Sequence, residues 1–419
     1  MTSSPTPRRM ASLPMTAFLT AIVGLGAFSI DTFLPSLPAM MRALGSGVGA
    51  AQLTVTLFLV SFAAAQLVFG PLSDRVGRRA ALLGGLMLYL AGAAGSFFAP
   101  SMPALVAARV LQGLGGGSGP VLSRAVVRDV HPPHQAARVL ALMAIAQAIA
   151  PMVAPILGGS LQAHFGWRSP FLFMMALGGV FLAVALVALQ ETSPHHAPPG
   201  GAARPERVGL ADGLGRLARH RTFVACVLAV TLVFGGQFAF ISGSAFVFMG
   251  VLGLTPRAYG FAFALVAFGI MTGSLLAARY TIDVGAPRMI ARGAALAASA
   301  GLAMASLVAT GHAGTAGLLV SMYLYAVGTG IVMPNGMAAA IAPFPHMAGL
   351  ASAVLGFTQM TGAALYSIAV SRFFDGTARP MTYAIASTGL ACLLPAALLV
   401  RATRPRGPVT PPACASSTR

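Results

Sequence analysis

Apolar stretches long enough to cross a bilayer, each closed by a short polar break, recur from Met15 almost to Arg401, and few folds accommodate such a chain. A crossing takes about 20 mostly apolar residues. Such stretches lie near 15–40, 50–69, 80–99, 103–123, 138–161 and 168–190, then near 222–250, 258–278, 289–310, 314–340, 348–372 and 380–401. With 57% hydrophobic and 8% charged residues, a chain of 419 residues cannot solvate the surface of a soluble globule. The interior stretch from Glu191 to Arg221, rich in Pro, Gly, His and Arg, divides the spans six and six.

The expectation is an all-α membrane protein with twelve transmembrane helices in two pseudo-symmetric six-helix bundles. Residues 1–14 and 402–419 are tails, 15–190 and 222–401 the bundles, and 191–221 the linker. The first apolar stretch is long and lacks a convincing small-residue cleavage site after it, so it is expected to be a retained span. Net charge is +18, from 26 Arg, no Lys and eight acids, which raises nucleic-acid binding as an alternative. The arginines instead cluster at span ends. If the amino terminus is cytoplasmic, twenty fall on the cytoplasmic side; Arg42, Arg168, Arg257, Arg372 and Arg379 fall outside, and Arg109 lies within a span. That asymmetry places both termini in the cytoplasm, in a multi-pass membrane protein with no nucleic-acid partner. The three cysteines form neither a disulfide framework nor a metal spacing.

An internal repeat supports two equivalent halves. The break after the second span reads Gly70-Pro-Leu-Ser-Asp74-Arg75-Val-Gly77-Arg78-Arg79, and that after the eighth reads Arg279-Tyr-Thr-Ile-Asp283-Val-Gly285-Ala-Pro-Arg288. Paired bundles of this kind hold a substrate site at the midplane between them.

Of the eight acids only Asp31 lies within a span. A carboxylate there costs roughly 2.5–3.5 kcal/mol to insert, so it marks a substrate or ion pathway. It can load and release a proton as its surroundings alternate. The alternative is a helix-end acid reaching water, because Pro35 and Pro38 follow closely. Asp31 stands roughly 24 Å along the first span, and Arg109 roughly 9 Å into the fourth from the other side, so their depths agree. Arg109 is the expected partner of Asp31 across a central cavity. Its alternative is to snorkel to the headgroups.

The stretch from Gly70 to Arg79 is the most specific pattern in the chain. Its glycines permit a tight turn, and Asp74, Arg75, Arg78 and Arg79 can pair with neighbouring helix ends in one conformation and release them in another. It resembles the signature loop of the major facilitator superfamily, which implies the major facilitator fold and a gating role for Gly70, Asp74, Arg75, Gly77, Arg78 and Arg79. Arg109-Val-Leu-Gln112-Gly113 resembles the fourth-helix motif of the drug:proton antiporter group, whose Arg is linked to proton movement. Pro151, Pro155, Gly158 and Gly159 resemble that group's fifth-helix antiporter motif, with Ala154 where many members have Gly. Asp31-Thr-Phe-Leu-Pro35-Ser-Leu-Pro38, Arg128-Asp129 and Glu191-Thr192 resemble the Bcr/CflA subfamily of bacterial multidrug exporters. The resemblance implies proton coupling at Asp31 with Arg109, no cofactor other than the proton, a small-molecule substrate and a monomer in the lipid bilayer.

Candidates for lining a substrate cavity are Phe28, Phe58, Gln66, Gln112, Gln147, Phe234, Gln237, Phe238, Tyr323, Tyr325, Asn335, Gln359 and Tyr366. Each can equally bind helix to helix. The function these features imply is proton-coupled efflux of small, partly apolar compounds such as antibiotics. The alternative on the same fold is a proton-coupled symporter importing a metabolite. Enzymatic readings fail: Gly116-Gly117-Ser118-Gly119 fits the nucleophile pattern of intramembrane serine proteases, but no histidine lies mid-span to activate it, and a chain without Lys has no nucleotide-binding Gly-Lys loop.

Overall fold

The computed structural model describes residues 12–192, 210–344 and 347–402. Most of both expected tails, linker residues 193–209, His346 and Cys414 lie outside the described residues. Among the described residues there is no strand. The first span is α1 (Leu13–Asp31), a 3₁₀ turn (Leu34–Ser36) and α2 (Leu37–Ala43). Then follow α3 (Val48–Val76), α4 (Arg78–Phe98), α5 (Met102–Val130), α6 (Pro133–Phe165) and α7 (Ser169–Ala188). A linker helix α8 (Leu210–Arg219) precedes α9 (Arg221–Ala245), which runs on through a π-helical turn (Phe246–Val251). The second half continues with α10 (Pro256–Val284), α11 (Ala286–Ala309), α12 (Thr315–Ile341), α13 (Ala348–Arg372) and α14 (Arg379–Ala402).

Local chemistry sets many of these ends. Ser101 caps α5 by accepting from the Ala104 N–H at 3.4 Å, and Thr255 caps α10 by accepting from Ala258 at 3.2 Å. Gly77 and Gly285, at φ +96° and +87°, end α3 and α10 and start α4 and α11. Only glycine takes that conformation without strain. The two turns are the internal repeat seen in the sequence, now with one backbone geometry.

Two expectations about the spans change. The first is not one helix over 15–40, because Pro35 and Pro38 break it after Asp31. The fourth and fifth run past 103–123 and 138–161, so Arg124 and Arg128 lie on α5, beyond the expected end of the fourth span, and Arg138 is inside α6 rather than at its start. Ten described helices are long and apolar enough to cross a membrane, and the bent first span makes an eleventh. The remaining one, α5, carries Arg109, Gln112 and the glycine run. It is sheltered from lipid by α3 and α4: a Cβ on Gly115 would strike the Tyr89 amide of α4, and one on Gly117 the Phe62 carbonyl of α3. The glycine run is therefore a close-packing surface.

The two halves share one arrangement. In the first, α5 packs on α3 and α4, and α1 on α5 and α6; in the second, α12 packs on α10 and α11, and α9 on α12 and α13. The halves meet mainly where α6 crosses α10 and α3 crosses α13, a symmetric pair of seams. All described hydrogen bonds joining the halves lie at the end opposite the termini, called distal here: Gln52 Nε2 donates to the Ser242 carbonyl at 2.9 Å, and the Thr56 and Ser367 hydroxyls lie 2.8 Å apart. There too, a Cβ on Gly159 would strike the Pro256 carbonyl and one on Gly260 the Pro155 carbonyl. The distal end is closed. Neither the body of α1 nor α5 makes an extended contact with the second half.

Candidate functional site

Asp31 is the last residue of α1 and is 4% exposed. The helix does end there, as the alternative reading required, but the carboxylate does not reach bulk water. Around it the 3₁₀ turn seals against α6: Gly158 of α6 is close enough to Thr32 that a Cβ would strike the Thr32 carbonyl, and Ser36 Oγ donates to Gln162 Oε1 at 3.2 Å. Tyr259 of α10 lies within electrostatic range of Asp31, and its hydroxyl is 2.8 Å from Ser244 Oγ.

Arg109 is fully buried, which rules out snorkelling. Its expected ion pair with Asp31 is not formed; among the described residues the ion pairs are those of Arg78 with Asp74 and Asp129. The reason lies in the break of the first span. A helix end leaves carbonyls without donors and carries partial negative charge. Arg109 Nη2 donates to the Ser29 carbonyl at 3.0 Å, and Nη1 to Gln112 Oε1 at 2.6 Å. Its guanidinium is held between the rings of Phe33 and Phe58, at 4.1 and 4.2 Å from their centroids. Ser29 Oγ meets Tyr89 Oη at 2.7 Å, tying the same turn to α4. The depths of Asp31 and Arg109 agree as expected, but helix carbonyls and aromatic faces take the place of the carboxylate.

The signature stretch is also rearranged. Gly70 lies inside α3 with ordinary room beside it, so it makes no turn, and the turn is Gly77 alone. Arg78 is the hub: Nη1 donates to Ser73 Oγ at 2.5 Å and to Asp74 Oδ1 at 2.6 Å, and Nε donates to Asp129 Oδ2 at 3.0 Å. Glu191, at the end of the sixth span, accepts from the backbone N–H groups of Arg78 at 2.7 Å and Arg79 at 3.1 Å, which caps α4. Arg79 Nη2 donates to the Leu186 carbonyl at 2.9 Å, and Arg75 is exposed. One cluster thus joins α3, α4, α5 and the end of α7, all within the first half.

The cavity candidates divide by what they touch. Phe58 and Gln112 are buried around Arg109, and Gln112 Nε2 also donates to Met174 Sδ at 3.5 Å. Thr281 Oγ1 donates to Asn335 Oδ1 at 2.8 Å, and the hydroxyls of Thr272 and Tyr323 are 3.2 Å apart; both pairs fasten α10 to α12. Tyr325 donates to the Val233 carbonyl at 3.3 Å, and Phe28 packs on Phe173. Tyr366 packs against Gly235. These side chains are engaged with neighbouring helices of their own bundle, and Tyr366 also lines a cavity with Val370, Phe373 and Tyr383. Gln66, Gln237 and Gln359 have no protein hydrogen-bond partner among the described residues, and Phe234 stacks on Phe238 with centroids 4.7 Å apart. Gln147 accepts from Arg124 Nη2 at 3.0 Å. Pro151 and Pro155 leave α6 unbroken, and Pro155 with Gly158 and Gly159 forms its distal seam. Phe33, Ser29, Tyr89, Tyr259 and Ser73 escaped the sequence reading; only the two prolines after Asp31 hinted at a helix end in need of a cation.

Two bundles of like arrangement that meet at one end around a buried acid are the architecture of a multi-span transporter rather than an enzyme. The family model of the Major Facilitator Superfamily matches residues 16–367, and the chain belongs to that family. It is 32% identical to the "Uncharacterized MFS-type transporter YdgK" of Bacillus subtilis, over 91% of this chain and 93% of the other. It is 28% identical to Multidrug resistance protein D of Escherichia coli, over 85% and 88% of the two chains, and 27% identical to a Bicyclomycin resistance protein homolog of Haemophilus influenzae, over 86% and 89%. A solved bacterial homolog of the lysosomal transporter Spinster, inward-facing and occupied, shares the fold at TM-score 0.72 and 16% identity, over 96% and 98% of the two chains.

Proposed function

We propose that this transporter is a proton-driven exporter of small, partly apolar compounds, antibiotics among them, working by alternating access. The observation that carries the reading is Asp31, buried at the closed end without an ion pair, whereas Asp74, Asp129 and Asp283 lie in the last turns of their helices at the terminal end. Residues 15–190 and 222–401 are the two bundles that rock about the seams, and the arginine-rich terminal end is cytoplasmic. Cargo enters between the halves from the cytoplasm. Opening the distal seam wets Asp31, which takes a proton from outside; resealing and opening toward the cytoplasm releases it there. Arg109 acts through the helix break, holding the turn that carries Asp31. The Arg78 cluster holds the first bundle rigid and contributes to gating. Resemblance to resistance proteins supports export as the direction.

The test is efflux of a panel of dyes and phenicol-type antibiotics from cells, with and without a protonophore, for the native chain and Asp31→Asn. Export that is sensitive to the protonophore and lost in the variant is expected. Gradient-driven uptake, or export indifferent to Asp31, would overturn the reading.

A further inference from the structure

Arg124 lies on α5, six residues before its end, and it is only half-buried. Helices α5 and α6 both pack on α1 and otherwise approach each other little, so the bond from Arg124 Nη2 to Gln147 Oε1, 3.0 Å, spans the face of α1 from one flank to the other. No carboxylate pairs with Arg124 among the described residues, and no other protein acceptor is found for its remaining N–H groups. Arg128, one turn on, adds positive charge. The nearby acids are committed elsewhere: Asp74 and Asp129 to Arg78, and Glu191 to the Gly77 turn. Among the described residues, the acid on a spanning helix of the second half is Asp283, exposed at the end of α10. A half-buried guanidinium with open donors binds planar anions in preference to cations.

Resting on the export reading above, we propose that Arg124, with Gln147 holding it in place, is the recognition point for the cargo, and that the favoured cargo is an organic anion, a carboxylate-bearing amphiphile, rather than a lipophilic cation. Gln147 leaves part of the guanidinium fork free and fixes its direction. A lipophilic cation would meet Arg124 with no acid near enough to offset it.

The purified chain in nanodiscs of uncharged phosphatidylcholine is titrated with carboxyfluorescein, an anion, and rhodamine 6G, a cation, and binding is followed by fluorescence anisotropy. The anion is expected to bind at least about tenfold more tightly than the cation, the worth of roughly one charge-assisted hydrogen bond. Arg124→Gln removes that preference and does not weaken the cation, while Arg124→Lys keeps most of it. Gln147→Glu, which pairs the guanidinium internally, reproduces the loss and serves if Arg124→Gln does not fold. Equal anion affinity in the native chain and both neutralising variants, or tighter binding of rhodamine 6G by the native chain, overturns the proposal. Loss of dye binding in discs of anionic phosphatidylglycerol would assign the site to a lipid headgroup and overturn it as well; unchanged binding supports it. Export is scored separately. Binding through Arg124 with no proton-driven efflux would sink the exporter reading and keep the site, whereas efflux indifferent to Arg124 would do the reverse.

Discussion

Gly77→Ala and Gly285→Ala are the same substitution at the two equivalent turns, and they should differ in cost by the worth of one carboxylate. Both glycines have positive φ, so each alanine meets backbone strain of about 1–3 kcal/mol. At Gly285 nothing lies within 4 Å of the new Cβ, and strain is the whole effect. At Gly77 the new Cβ strikes the Glu191 carboxylate, which must withdraw from the Arg78 and Arg79 amides it caps. Loss of a helix cap costs about 0.5–2 kcal/mol, and the partial exposure of this one argues for the middle of that range. Gly77→Ala should therefore unfold about 1 kcal/mol more easily than Gly285→Ala, the two sharing the strain. Glu191→Ala should cost about 1 kcal/mol in the native background and almost nothing on top of Gly77→Ala. Denaturant or thermal unfolding of the purified variants in one detergent measures all four. Equal costs at the two turns, or full additivity of Gly77→Ala with Glu191→Ala, would refute the capping role of Glu191.

Three further outcomes follow from the packing. Arg109→Met removes a buried cation that has no carboxylate partner and leaves a side chain of similar length between Phe33 and Phe58; stability should stay within about 2 kcal/mol of native or rise, while efflux falls to background, and a larger loss of stability would refute the expectation that the aromatic and carbonyl contacts do no more than offset the cost of burying the charge. Gly159→Val wedges the α6–α10 seam, so a cysteine placed at Ser36 should react faster with an impermeant maleimide added from the distal side; unchanged labelling would show that the seam does not depend on that contact. Asn335→Leu should lower stability by about 0.5–1.5 kcal/mol, by removing the contact that fastens α10 to α12 while Thr281 Oγ1 keeps the Ala277 carbonyl as acceptor, and should leave the relative efflux of different cargoes unchanged; an altered cargo profile would return Asn335 to the cavity lining.

Span number, the six-and-six division and the repeated turn were legible because lipid demands long apolar helices, and the breaks between them must be short and polar. Helix ends were less so. The chain between Gly70 and Arg79 reads as loop because of its charges, yet Asp74 and Arg75 ride on the last turn of α3 and Arg78 and Arg79 open α4, beyond the apolar core but still helical. Asp31 was visible as the one intramembrane acid, but its separation from Arg109 was not. Depth along two helices is readable from the 1.5 Å rise, whereas the competing acceptor, the Ser29 carbonyl, exists only because the first span breaks. Among polar lining candidates, sequence cannot assign rotation. Asn335 and Tyr323 turn into their own bundle, while Gln66, Gln237 and Gln359 keep their amides unpartnered among the described residues. Glu191 reaches Arg78 across 113 positions of sequence, and no local pattern announces that.

A lone intramembrane carboxylate also fixes the gearing of the machine. If Asp31 carries the coupling, each stroke moves a single proton, and a neutral cargo can be driven no further than that proton's own descent allows. At 100 mV and one pH unit this is about 3.7 kcal/mol, a concentration ratio of a few hundredfold at most. A compound that leaks back faster than such a ratio can hold will not be cleared, however many copies of the protein the cell makes.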